Sequence, residues 1–165
     1  NLSDNKDIKN EEIIPQSNII KDVNYVTKDN DGNDYTITAE VGEIDYLQPN
    51  IIYLTNVYAV IRLKDSSEIK IRSNYGKYNS DNFDTIFTKN VIIKYLDNKI
   101  NGEYVDFSLD RNSMIISKKV IYTNLENILK ADVVEINIKT KDTKIFMYEK
   151  EKKVNIKSKN LNGNN

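Results

Sequence analysis

The stretch IKIRSNYGKY, residues 69–78, alternates apolar and polar side chains as far as Ser73 and then breaks step: the next small residue, Gly76, stands three positions on, with Tyr78 two beyond it. Successive side chains of a strand point to opposite faces. A step of three would therefore turn the pattern over unless a bulge or corner intervenes, and a small residue leaves room for one. The same skeleton recurs as Ile37-x-Ala39-x-x-Gly42-x-Ile44, as Ile100-x-Gly102-x-x-Val105-x-Phe107 and as Leu129-x-Ala131-x-x-Val134-x-Ile136. Eighteen residues after the small position comes a valine preceded by Asn or Lys, at Val57, Val91 and Val120, and the fourth copy reaches Val154 after a longer insertion. A spacing that holds while the turns change belongs to strands fixed by structure and loops left free. Each unit is a strand, a jog, a turn and a returning strand. One unit cannot bury its own apolar face and stacked units can, so the expected body is an elongated, layered antiparallel β structure with two sheets folded over a narrow interior.

Outward from that stretch the period of two persists. DYTITAE puts Tyr35, Ile37 and Ala39 on one face, and VVEINIK puts Val134, Ile136 and Ile138 on another. VNIK does the same with Val154 and Ile156, while DG, DNKING, DRNS and KDT supply turns. Helix signals are weak, amounting to a single turn at NLENIL and a short amphipathic stretch at Ile8 to Ile14, and the chain is all-β. Residues 1–18 are polar and charged with Pro15 near their close and read as a flexible tether; 19–159 form the folded body, and 160–165 a disordered tail.

Composition narrows the chemistry. The 24 basic and 25 acidic side chains nearly cancel, which removes the broad positive field of a nucleic-acid binder. Without histidine or cysteine there is no Ser-His-Asp or Cys-His nucleophilic site and no zinc site of the usual ligand types. No catalytic residue, cofactor or metal is assigned. No apolar run is long enough to span a bilayer, and a chain that starts at Asn1 is expected to be processed, with a signal or anchor preceding it. Asp29, Asp31 and Asp34 with Gly32 resemble the start of a calcium loop, but the closing glutamate is missing and Asp-Gly suits a hairpin turn. Asp81 and Asp84 are spaced for a turn. Arg62, Lys64, Lys70 and Arg72 make a basic stretch that could meet lipid phosphates or simply face solvent.

A thin apolar interior without nucleophile or metal ligand suits holding something greasy, each methylene moved into it being worth about 0.8 kcal/mol. The inward residues expected to line such a groove are Ile37, Ala39, Leu54, Val57, Ile71, Phe87, Val91, Ile93, Phe107 and Ile136, although a plain packed core would use the same residues. The terminal strands, Asn18 to Lys28 and Lys144 to Lys157, are expected to offer edges for strand addition, with Tyr25 at one end and Ile145, Met147, Val154 and Ile156 at the other.

From about Tyr25 to Ile156, the ordered set DGNDYTITAEVGEI, IYLTNVYAVI, IKIRSNYGKYN, FTKNVIIKY and NGEYVDFSL resembles the LptC family of periplasmic lipopolysaccharide-transport proteins, in its alphaproteobacterial form. The resemblance implies a β-jellyroll, or β-taco, open at both ends, whose groove holds the acyl chains of lipopolysaccharide. It implies a protein anchored in the inner membrane by an N-terminal helix absent from this chain. Such a protein takes lipid from the LptB/LptF/LptG transporter and passes it to the periplasmic bridge protein LptA. An LptA-like soluble bridge protein and a structural β-solenoid without lipid cargo remain as alternatives.

Overall fold

The computed structural model describes residues 18–148 and the backbone of residues 156–158. Eight long strands follow one another as an antiparallel meander: β1 (Ile19–Lys28), β2 (Asp34–Ile44), β3 (Ile51–Arg62), β4 (Glu68–Asn79), β5 (Thr85–Tyr95), β6 (Asn98–Ser108), β7 (Ser113–Thr123) and β8 (Asn127–Asn137). Two short strands, β9 (Thr143–Phe146) and β10 (Ile156–Ser158), both pair with β8. The NLENIL segment forms no helical turn: Asn124 accepts backbone N–H groups of Glu126 and Asn127 through Oδ1, and the chain passes straight into β8. An asparagine that satisfies these donors locally competes with a helix for them.

The repeat marks the middle of every long strand. Directly before one inward valine on each of β1, β3, β5 and β7 stands a residue in the left-handed region: Asp22 (φ 53°) before Val23, Asn56 (φ 55°) before Val57, Asn90 (φ 51°) before Val91 and Lys119 (φ 54°) before Val120. Asparagine and aspartate tolerate that region best among non-glycine residues. The ladders between β4 and β5, β5 and β6, β6 and β7, and β7 and β8 shift register at the same level. The valines fall beside the small residues of the neighbouring strands: Ala39 pairs with Val23 and Val57, Val57 with Ser73, Val91 with Gly102 and Val120 with Ala131. Large against small along one line lets a sheet bend sharply without a void. At Gly102 the approach is closest, since an added Cβ would lie 2.7 Å from Cγ2 of Ile116.

The bend folds the sheet upon itself. In a flat sheet β2 and β6 would stand about 19 Å apart. Yet the Tyr35 ring of β2 lies 4.8 Å from that of Phe107 on β6, and Tyr35 Oη shares a 2.7 Å hydrogen bond with Thr85 Oγ1 on β5. Tyr35 sits at one end of the strands and Thr85 and Phe107 at the other, because Tyr35 pairs with Ile61, and Ile61 with Ile69, whereas Thr85 pairs with Tyr78 and Phe107. The interior therefore lies between two halves of one continuous ten-stranded sheet rather than between two separate sheets. The core is a stack of aliphatic and aromatic side chains inside this fold, with Ile37, Ile71, Phe87, Phe107, Met114 and Ile116 fully buried.

Candidate functional site

The interior is built row by row. In the first half, Tyr25, Ile37, Ala59, Ile71, Ile93, Ile100, Tyr122 and Leu129 stand in one cross-strand line. In the second half, Gly42, Leu54, Gly76, Phe87, Val105, Ile116, Val134 and Ile145 form the line nearest the crease, and Ile44, Ile52, Tyr78, Thr85, Phe107, Met114 and Ile136 the next. Ile37, Ala39, Leu54, Val57, Ile71, Phe87, Val91, Ile93 and Phe107 all face inward and are buried; Ile136 faces inward and is half-buried.

The two ends of this interior differ. Toward β1 the halves are braced by rings: Tyr25 stacks on Tyr78 with centroids 5.0 Å apart, and Tyr35 packs between Tyr78 and Phe107. Burial pushes the Tyr35 phenol far above its usual pKa, against the opposing effect of its bond to Thr85, and pushes Tyr78 up as well. Neutral phenols in an apolar interior are the cheap state. Toward β8 the packing loosens. Tyr122, Leu129, Ala131 and Ile136 are only half-buried, and a cavity of about 90 Å³ lies between the halves, walled by Ile69, Ile93, Ile100 and Tyr122 on one side and Ile136 and Ile138 on the other.

The turn after β8 contributes Ile138 and Lys141 to the lining of that cavity. The alternation of Val134 and Ile136 does not continue through Ile138 as strand, because β8 ends at Asn137. Ile138 instead tucks in from the following turn, 1% exposed, its N–H donating to the Asn112 carbonyl at 2.8 Å. Asn137 Oδ1 accepts from the N–H groups of Lys139 and Thr140 and so shapes the turn. Lys141 reaches across to the Asp65 carboxylate on the β3–β4 loop, and its ammonium lies 5.8 Å from the Tyr95 ring centroid. The Lys141 ammonium and the Ser67 hydroxyl and N–H hold Asp65 well below the usual carboxylate range, and Asp65 in turn raises Lys141.

Lys144 to Lys157 is not one terminal strand. β9 pairs along Val133–Ile136 and β10 along Asn127–Leu129, so two separate pieces share the outer edge of β8. Ile145 lies in β9 opposite Val134 at 38% exposure, and Met147 follows β9. Ile156 opens β10 opposite Leu129, and Val154 lies outside the described residues. Asp29 holds the β1–β2 turn: its carboxylate accepts from the N–H groups of Asp31 and Asn33 and from Asn33 Nδ2, at 2.8–2.9 Å. Asp81 and Asp84 lie between β4 and β5. Sequence reasoning missed the Tyr35–Thr85 brace and the Asp65–Lys141 latch, both of which join residues at least fifty positions apart. It also missed one crease valine, Val23, which the Asp-Val pair at 22–23 could have revealed.

A family model described as lipopolysaccharide-assembly, LptC-related, matches residues 4–161. The chain belongs to that family. The LptC-related proteins are periplasmic components of lipopolysaccharide transport, and the folded all-β sheet is the jellyroll expected of them. The match takes in most of the polar segment 1–18 as well as the folded body. No curated protein matches the chain. Among the described residues no helix is long and apolar enough to cross a membrane.

Proposed function

We propose that this protein receives lipopolysaccharide from the inner-membrane LptB/LptF/LptG transporter and passes it to the LptA bridge, holding the acyl chains between the two halves of its folded sheet. The observation that carries the reading is the interior itself: a continuous apolar lining from Ile37 to Ile136, tight at the β1 end and loosened into a cavity at the β8 end. Ligand clefts usually measure roughly 300–1,000 Å³, so the present cavity of about 90 Å³ describes a closed groove that must widen to take a chain. The turn at Ile138 and the Asp65–Lys141 latch are the parts whose release widens it.

The same asymmetry supports a direction. The lipid leaves past β8, where the wall residues are half-exposed, and residues 143–158 supply the strands that meet the bridge protein; the end at Tyr25 meets the transporter, and an anchor ahead of the polar segment holds the protein at the inner membrane. Deleting residues 144–159 should abolish capture of LptA while leaving association with the transporter intact. A photo-crosslinker at Ile156 that never captures LptA, beside one near Tyr25 that does, would reverse the assignment. For cargo, a native mass spectrum of protein purified from an outer-membrane-bearing host should show lipopolysaccharide retained; repeated recovery without lipid, at saturating lipopolysaccharide, would favour a purely structural β stack.

A further inference from the structure

Two adjacent rows on the outer face of the first half-sheet gather bases, while the row beyond them, Lys28, Asp34, Arg62 and Glu68, mixes signs. Lys70 pairs across the ladder with Lys94, and Lys94 with Lys99, so three lysines stand side by side on β4, β5 and β6. The neighbouring row adds Arg72 on β4 and Lys130 on β8, and all five side chains are exposed. From β3 to β8 neither row contains an acid, although the chain as a whole is nearly neutral. Glu68, at 3.9 Å from Lys70, is the only carboxylate within ion-pair distance of any of the five among the described residues, and it is shared with Arg62.

Like charges directly opposite one another destabilise a sheet, so local folding does not explain this row. Between the bases, apolar side chains also face outward: Tyr58, under the Arg72 guanidinium at 4.3 Å, then Ile92 and Ile121, the last 36% exposed. The outer face of the second half does not repeat the pattern, for there Lys77 and Lys144 share one row with Glu43, Asp106 and Glu135.

We propose that this basic, aliphatic-studded face docks the protein onto an anionic phospholipid surface. Basic side chains gather at negatively charged headgroups, and aliphatic and aromatic side chains between them are accepted by the headgroup boundary. A nucleic-acid backbone would match the charges and leave Ile92 and Ile121 without a counterpart, and competition with polyglutamate tests an acidic-protein partner. Docking by this face would lay one half of the folded sheet along the bilayer and keep the crease and the opposite half in solution. The inference stands apart from the groove reading, because it concerns the outer rows and needs no lipopolysaccharide.

The test uses the whole chain and lipopolysaccharide-free vesicles, of phosphatidylglycerol mixed with phosphatidylethanolamine or of phosphatidylcholine alone, read by co-sedimentation. Binding is expected to the first mixture only, and to fall as salt is raised. The triple variant Lys70→Gln/Lys94→Gln/Lys99→Gln should weaken it about tenfold or more, since each base near such a surface contributes comparably. The control triple Lys77→Gln/Lys89→Gln/Lys144→Gln, with the same change in net charge, should bind within about twofold of the parent; melting curves of both variants establish that they are folded. Equal binding to both vesicle types, equal losses in the two triples, no binding to the anionic vesicles, or displacement by duplex DNA or polyglutamate as readily as by free anionic vesicles would overturn the proposal.

Discussion

Single positions carry the crease. Gly102 has no room for a side chain, because a Cβ there would lie 2.7 Å from Cγ2 of Ile116, one strand away. Gly102→Val should therefore cost about 1–3 kcal/mol through overpacking, measured by urea unfolding. Val91, in register with Gly102 and 1% exposed, should tolerate aspartate far worse than its outward neighbour Lys94 does: several kcal/mol against a few tenths. Equal melting temperatures for Val91→Asp and Lys94→Asp would contradict the register. Tyr35 gives a pH signature. Its folded-state pKa is raised above the ordinary value of 10.0, so the stability tied to its neutral phenol is fully present below pH 10 and is lost as pH rises beyond it. Tyr35→Phe should cost about 1 kcal/mol at neutral pH for the bond to Thr85 and should flatten the alkaline decline, read as melting temperature between pH 9 and 11.

At the scale of strands, the lysine row predicts an unusual gain. Lys94→Glu puts a carboxylate between Lys70 and Lys99 and should raise stability by roughly 0.2–1 kcal/mol, most at low salt. No change at low salt would mean that the three ammoniums avoid one another in solution. The strands themselves were legible in the sequence because the period of two and the jog at Ala39, Ser73, Gly102 and Ala131 are written along the chain. The valine eighteen residues on was legible for a related reason: Ala39 pairs directly with Val57, while the pairs Arg72–Ile92 and Asn101–Ile121 bring Ser73 to Val91 and Gly102 to Val120 where the ladder shifts. What alternation could not tell is where it stops. Ile138 continues the apolar beat of Val134 and Ile136 yet belongs to a turn, since Asn137 turns the backbone through its own side chain. The split of residues 144–157 into β9 and β10 was equally hidden, because both pieces keep strand-like pattern and only the edge of β8 decides where each is seated.

At the scale of the whole molecule, one sheet bent along a line of valines and small residues makes a sleeve with a braced end and a loosened end. Which inner residues wall a cavity and which merely fill a core depends on contacts between the halves, such as Tyr35 with Phe107, and these join positions too distant for periodicity to reveal. The latch at the loosened end is exposed and should act on motion more than on stability. Because Asp65 has its folded-state pKa lowered, the stability the latch contributes is fully present above the ordinary carboxylate value of 3.8 and is lost as pH falls through the lowered folded-state value. Asp65→Asn should accordingly speed amide exchange of residues 138–142 at neutral pH with little change in melting temperature; unchanged exchange would remove the latch from the account.

If acyl chains run inside the fold, adjacent residues of β8 must differ in their contact with lipid. Ile136 points into the cavity and Glu135 points out. A photoreactive residue placed at Ile136 in cells exporting lipopolysaccharide should form a lipopolysaccharide adduct, and one at Glu135 should form little or none. Equal capture at both positions, or capture at Glu135 alone, would place the acyl chains outside the fold.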